Sequence, residues 1–569
     1  MFRREPAPPA PAAALAHLPE GYYLANFRTV LEDVETRYGD LLLAGERAIL
    51  AQFRATSLGA QRLYVRLLTR KGPWFRRDDL RYAEIGEPGP VLDELMRAGF
   101  CEDAAALPDL LPLLTRGDLL QLLQELGSSG ARALRREDLL ARLLEAAPEE
   151  HLQGLLGRHL GPVKPRHGEL WRRIFLLFFG NFEQDLATFV VADVGILRYE
   201  NYPLDPGLRS FATRADVDYL LSLRELRERL ETVAGEAELE ALTGDALAMG
   251  SHPGVRQQRR FQGLLNELGR AWERARQLDR ALACYRLSER SPARERRVRI
   301  AASRGDLAGA CQLAMELAEA PRDVGEARFA RGFLERQRRK LPELDAWLRA
   351  RPRPEAPPEV RLHLPRHPSG SVERAALEAA RAEGWQGFFA ENHLWRALFG
   401  LAFWEQLFAP VPGAFQHRFQ NAPLDLGGAD FYPRRREAIE ARLAELGACP
   451  DPAPALLAVA EQKWGLASAF LSWRHLDRQQ LREALARIEP ALLVELLRIM
   501  VQSPLAFDSG FPDLFLYRPE SRQWQLWEVK GPGDSLRPEQ EWWLQRFLEL
   551  GCCARVAWVR YADAASEPR

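Results

Sequence analysis

The spacing of apolar residues changes once along the chain, and that change limits what the chain can fold into. From about residue 20 to residue 350, apolar side chains recur at three- and four-residue intervals. Leu113, Leu119, Leu122, Leu123 and Leu126 show the pattern, with Gly127 as a stop. Over roughly the last 60 residues, short strand-like runs bounded by turn residues take over. Between the two patterns lies 351–371, with six prolines and little periodicity. The fold class expected is a multidomain chain, mostly α in its N-terminal regions and α/β at its C-terminus. At 569 residues it is too long for one hydrophobic core, and the usual ~150 residues per domain suggest about four units.

The helical part divides further. Residues 1–20 are Pro/Ala-rich and expected to be mobile. Residues 21–105 form a winged-helix-like region: a helix through Leu63, Leu67 and Leu68 runs into Lys71-Gly72-Pro73, and a second stretch through Leu92 and Leu95 ends at Gly99. Its charge is lopsided, with Arg62, Arg66, Arg70, Lys71, Arg76, Arg77 and Arg81 facing Asp78 and Asp79. Trp74 and Phe75 lie inside that cluster, a mixture suited to phosphate contacts and stacking; the alternative is a solvated face around a packed Trp. Residues 106–160 are similar to a SAP module, with helices 116–126 and 136–144 joined by a glycine-rich turn, although a leucine-rich bundle fits the same pattern. A Pro/Gly break at 161–168 opens a helical connecting region, 161–257. Residues 258–350 carry tetratricopeptide-like spacing in Leu265, Leu268, Gly269, Trp272, Ala281 and Tyr285. The linker is then 351–371 and the C-terminal domain 372–569.

Composition narrows the function. Hydrophobic residues make up 47% and charged residues 28%, as in a folded protein. The 78 basic and 79 acidic residues nearly cancel, so a polyanion partner has to be held by local patches. Six cysteines form no CxxC pair, which argues against a zinc ribbon or a disulfide scaffold and for a reducing compartment. No stretch approaches the ~18–20 apolar residues that cross a bilayer, and Met1-Phe2-Arg3-Arg4 is not followed by the apolar core of a signal peptide. Of the basic residues, five are lysines: Lys71, Lys164, Lys340, Lys463 and Lys530.

The chemistry concentrates near the C-terminus. Residues 511–518 and 524–530 read as the two strands of a hairpin, followed by a helix from Pro538 to Leu550 and a third strand over 554–559. Side chains alternate along a strand, so Glu528 and Lys530 share one face, and Asp513 reaches the same place if the register permits. Two carboxylates and one ammonium gathered there repel or lose hydration unless something compensates them. A hard divalent cation does so, and the Val529 carbonyl offers a further oxygen. The alternative is a solvated hairpin in which Lys530 merely pairs with the acids.

Pro512-Asp513 with Glu528-Val529-Lys530 resembles the PD-(D/E)xK nuclease signature. Glu528-Val529-Lys530-Gly531-Pro532, with Asp534, Leu536 and Gln540, resembles its VRR-NUC subgroup. Upstream, Glu391-Asn392-His393-Leu394-Trp395 and Gly400-Leu401-Ala402-Phe403-Trp404 are similar to the helix that carries a further metal-binding glutamate. Asn421 to Leu426, with Phe431 and Arg434-Arg435-Arg436, also fits. With the order of the preceding regions, the chain resembles the Fanconi-anaemia-associated nuclease family in its bacterial form, without a zinc-finger pattern ahead of the winged-helix-like region.

That resemblance implies a restriction-endonuclease-like domain at 372–569 and a metal-dependent structure-specific DNA nuclease. Such an enzyme cuts near 5′ flaps, degrades 5′ to 3′ and acts in interstrand-crosslink repair. It implies Glu391, Asp513, Glu528 and Val529 as ligands of one or two Mn²⁺ or Mg²⁺ ions, and Lys530 as the group that orients or activates water. Expected DNA contacts are Arg62, Arg66, Arg70, Lys71, Arg76, Arg77, Arg81, Arg434, Arg435, Arg436 and Gln540. The implied partner is flapped, branched or nicked DNA, with no membrane involved, in the bacterial cytoplasm at the nucleoid. A four-way-junction resolvase of the same fold and a non-catalytic DNA-binding scaffold are the rival readings.

Overall fold

Several helices begin where a side chain takes up the first free backbone N–H groups. Thr115 caps the helix Arg116–Glu125 in a reciprocal box with Asp118, Thr213 does so with Asp216 for Arg214–Thr232, and Ser371 caps Val372–Ala382. The computed structural model describes residues 20–128, 134–186, 189, 197–351, 355–365 and 370–561. Apart from Glu20, the start expected to be mobile lies outside them, as do part of the glycine-rich turn at 127–130 and parts of the 351–371 linker. The chain forms two compact units, divided between residues 196 and 197.

In the first unit, three short strands form a sheet in the order β1, β3, β2: β1 is Phe75–Arg76, β2 Cys101–Glu102 and β3 Pro162–Pro165. Phe75 pairs with Val163 and Cys101 with Pro165, both antiparallel. This corrects the reading of 161–168 as a break that opens a new region. The segment is the central strand tying the winged-helix-like part together, and a proline at a strand's first position removes no ladder bond. The SAP-like helices are observed at Arg116–Glu125 and Arg136–Ala146. Trp74 packs into their core with Leu119, Leu122, Leu139 and Leu143, and Phe75 is buried as well. Both aromatics are therefore core residues, not base-stacking platforms.

In the second unit, the tetratricopeptide-like spacing becomes paired helices, Val255–Arg274 against Leu278–Arg286, then Ala293–Ser303 against Leu307–Glu319. Gly269 allows the first pair its close approach: a Cβ there would stand 2.6 Å from the Tyr285 ring.

The C-terminal sheet has five strands: β4 Glu359–Leu364, β5 Gln386–Phe389, β6 Leu514–Tyr517, β7 Trp524–Lys530 and β8 Ala554–Tyr561, in the order β4-β8-β7-β6-β5. β4, β8 and β7 are parallel; β6 is antiparallel to both β7 and β5. Two of these strands escape the sequence reading. β4 lies inside the presumed linker, where flanking prolines mask the alternation of Glu-Val-Arg-Leu-His-Leu, and prolines beside an edge strand cost little. β5 is four residues long and contains Gly387, whose missing Cβ leaves room for Leu516 and the Phe515 carbonyl.

Alternation along β7 builds two cores. Trp527 and Val529 face the helix Val372–Ala382 through Ala376, Leu377 and Ala380. Leu526 faces the opposite layer of helices, including Glu391–Ala402, Phe431–Ala448, Pro490–Gln502 and Pro538–Glu549. Glu528 and Lys530 continue the Leu526 face to where β6 has ended.

Candidate active site

The register of β6 and β7 decides the site. Leu514 lies opposite Trp527, so Asp513, one residue earlier, falls opposite Glu528. Asp513 Oδ2 accepts the Val529 N–H at 2.8 Å. On the other flank, β5 delivers Ala390 and Glu391, whose N–H groups both donate to the Asp513 carbonyl at 2.8 and 3.2 Å. Glu391 opens its helix at φ 27°, a left-handed conformation unfavourable to a side chain, of the kind found at functional sites. Glu391, Asp513, Glu528, Val529, Lys530 and Gln540 thus line one cleft of about 1070 Å³, together with His393, His475, Arg374 and Arg537.

Charge in this cleft is unbalanced. Glu528 is fully buried and its Oε1 lies 2.8 Å from Lys530 Nζ; beyond that ammonium, neither of its oxygens takes a hydrogen bond among the described residues. Burial, and then the neighbouring Asp513 carboxylate, push Glu528 up to about 8 against the pull of Lys530. Burial likewise pushes Asp513 up to about 6, opposed by the Val529 N–H and Lys530 and reinforced by Glu391 and Glu373. Lys530 is fixed from its far side by Gln540 Oε1 at 2.9 Å, and the same oxygen accepts the Arg537 N–H at 3.0 Å, capping the helix Pro538–Glu549.

Among the described residues, no three His, Cys, Asp or Glu side chains stand close enough to form a ready-made metal cage. The acids share the cleft without closing on a point, as like charges do when only one ammonium lies between them. The donor set nevertheless suits a hard cation: a buried carboxylate with both oxygens free of N–H donors other than Lys530 is costly alone and is relieved by a divalent ion.

The expected DNA contacts divide. Gln540 is buried and is a positioning residue for Lys530, which corrects its assignment as a DNA contact. Arg435 is also corrected: it is buried beneath Phe431 and paired with Asp425 at 2.8 Å, with the Gln406 carbonyl as a further acceptor. Arg434 pairs with Asp425 and bonds the Pro412 carbonyl, whereas Arg436 is exposed. In the first unit, Arg62 pairs with Glu20, Arg66 with Glu84, Arg76 with Asp118 and Arg77 with Asp93. Arg70, Lys71 and Arg81 are exposed and form no ion pair among the described residues, though Arg70 donates to the Tyr82 hydroxyl.

Nothing in the sequence links His393 with His475. Their rings stack at 4.5 Å in the cleft wall, and His475 Nδ1 lies 2.8 Å from Ser472 Oγ. Burial, and then His475, lower the pKa of His393. Residues 82 positions apart carry no spacing signature, so only the fold reveals the pair.

Comparison with known proteins follows the same division. The family described as "FAN1, HTH domain" matches residues 21–102, and the VRR-NUC domain family matches 453–561. A "Fanconi-associated nuclease 1 homolog" from Pseudomonas aeruginosa is 36% identical over 556 residues, covering 96% of this chain and 97% of the relative. The chain belongs to the Fanconi-associated nuclease 1 family. The human Fanconi-associated nuclease 1 is 24% identical, and the match covers 96% of this chain and 63% of the human protein. A crystal structure of paFAN1 bound to DNA with a two-nucleotide 5′ flap and a gap superposes with a TM-score of 0.82 at 34% identity, covering 96% of this chain and 99% of that one. Fanconi-associated nuclease 1 proteins with a VRR-NUC domain are hydrolytic, divalent-metal-dependent nucleases, and the cleft described above is lined by that domain and by residues between 371 and 393 upstream of it. Among the described residues, no helix is long and apolar enough to cross a membrane.

Proposed function

We propose that this chain hydrolyses phosphodiester bonds of branched DNA beside 5′ flaps, degrades from the 5′ side and serves interstrand-crosslink repair at the bacterial nucleoid. The observation that carries the reading is the joining of Glu391, Asp513, Glu528 and Lys530 in one open cleft by the register of three strands. The flap preference is supported by the likeness to paFAN1 bound to 5′-flap DNA.

Asp513, Glu528, the Val529 carbonyl and Glu391 are the groups that would hold Mn²⁺ or Mg²⁺, with room for two ions. Bound there, a divalent ion supplies Lewis acidity towards the scissile phosphate and offsets its growing negative charge. The chain's own residues do the rest. Lys530, gripped between Glu528 and Gln540, presents a fixed positive charge that orients the attacking water and favours its deprotonation. The Val529 N–H holds the Asp513 carboxylate in one orientation, and Arg374 and Arg537 on the cleft wall face the phosphate backbone.

The test compares labelled 5′-flap, 3′-flap and four-way-junction DNA with Mn²⁺, Mg²⁺ or chelator. Metal-dependent cutting biased to the 5′ flap is the expected result. Paired symmetric cuts in the four-way junction would favour a resolvase instead, and no cleavage of any substrate with either metal would favour a DNA-binding scaffold.

A further inference from the structure

β5 is the outer strand of the sheet, and its far edge pairs with no strand among the described residues. Its last residue, Phe389, is 44% exposed and forms part of the rim of the catalytic cleft. Around its first residues lies a second groove of about 560 Å³, lined by Arg381, Trp385, Gln386, Tyr517 and Pro519 among others. The two hollows are therefore the two ends of one short strand, about 10 Å apart at ~3.3 Å per residue.

One arginine lines the second groove, and a second stands over Trp385 in its wall. Arg381 is exposed and forms no ion pair among the described residues. Arg518 lies over the Trp385 ring at 4.5 Å and donates to the Glu383 carbonyl at 2.8 Å, with no carboxylate partner among the described residues. Gly384 makes room for it: a Cβ there would stand 2.5 Å from the guanidinium. Tyr517, held through its hydroxyl by Gln386 at 3.2 Å, closes the floor. The helix Val372–Ala382 runs beside both hollows. Arg374 lines the first and Arg381 the second, seven residues and two turns apart, so they lie on one face with an axial spacing of about 10 Å.

We infer that the nucleic-acid strand held in the catalytic cleft continues along the free edge of β5 into this groove, its phosphates meeting Arg374 and then Arg381 and Arg518. The inference rests on the nuclease reading above and adds a binding subsite to it. An extended peptide joining the sheet edge is the other natural occupant. Arg381, without an ion pair among the described residues and in line with Arg374 on the cleft wall, favours the polyanion, with Arg518 over Trp385 beside it. A stacked strand carries one phosphate per ~3.4 Å, so the subsite lies two or three phosphates from the reacting one.

The experiment is a scan of 5′-flap DNA in which one phosphate at a time is replaced by a neutral methylphosphonate, from one to four positions on either side of the cut. Binding is read by fluorescence anisotropy in chelator, with cleavage followed in parallel in Mn²⁺. One substitution two or three positions from the cut is expected to weaken wild-type binding about three- to tenfold. It should cost nothing further in Arg381→Ala, and Arg381→Lys should retain most of the coupling. Persistence of every penalty in Arg381→Ala, or wild-type affinity in that variant, would overturn the subsite. Coupling without cleavage would strike the nuclease reading alone, and cleavage without coupling would strike the subsite alone.

Discussion

Two buried charge clusters, one in each unit, handle the same problem in opposite ways. In the first unit Asp118 receives two hydrogen bonds from Arg76, one from Thr115 Oγ1, one from the Thr115 N–H and a 3.0 Å contact from His159. Burial alone would raise its pKa, but these partners hold it well below the carboxylate range. In the second unit two neighbouring carboxylates, Asp513 and Glu528, share one ammonium and are both pushed upward by burial. A carboxylate surrounded by donors is finished structure, whereas acids that outnumber their cations leave room for a ligand that carries the missing charge.

Removing a carboxylate from the unbalanced cluster should affect chemistry almost alone. Asp513→Asn is expected to lower metal-dependent cleavage by about 10³-fold or more while DNA affinity in chelator stays within about twofold. Cleavage near the wild-type rate would show that the excess charge is not catalytic. The same operation on the balanced cluster should affect stability instead: Asp118→Ala is expected to destabilise the first unit by about 2 kcal/mol through loss of the helix cap and an unpaired Arg76. Urea unfolding checks it.

The pH dependence of the two units should run in opposite directions. Asp118, with a lowered folded pKa, contributes stability that is present above its unfolded value of ~3.9 and lost as pH falls through the folded one. Asp513 and Glu528, with raised folded pKa values, contribute most below their unfolded values of ~3.9 and ~4.3, and lose that contribution as pH rises through about 6 and about 8. In chelator, the second unit should therefore weaken from about pH 4 to pH 8 in thermal scans. Glu528→Gln should flatten the slope, and a slope unaltered by that change would assign it elsewhere.

Smaller effects sharpen the contrast. Gln540→Ala should slow cleavage about tenfold by loosening Lys530, with kcat falling more than KM rises; an effect confined to KM would make Gln540 a DNA contact after all. The smallest expected change is in the arginine-rich region. Replacing Arg70, Lys71 and Arg81 together by alanine should weaken binding to all DNA substrates a few-fold and reduce the salt slope by about two to three. Arg76→Ala should change stability instead, because its guanidinium is already taken up by Asp118.

The alternation of Trp524 to Lys530 was enough to place Glu528 and Lys530 on one face, because a strand is a local structure with a period of two, whereas Asp513 came opposite Glu528 only with the observed register of the hairpin. The helical spacing of 258–350 was legible for the same reason: contacts between successive helices leave a local trace. β4, β5 and the His393–His475 stack left none, being defined by partners far along the chain. Nor could Arg434, Arg435 and Arg436 be told apart, since only packing reveals that the middle one is buried against Asp425.

By itself the sequence determined which chemical groups are present and which short segments form helices and strands, because propensity and periodicity act over a few residues. The tertiary structure alone decided which charges are answered and which are left over. Glu391 joins the site through pairing with a strand more than a hundred residues away, Gln540 turns inward to hold a lysine, and four of the seven basic residues at 62–81 are neutralised by acids. Electrostatics depends on distance in space and on burial, and neither can be read from separation along the chain.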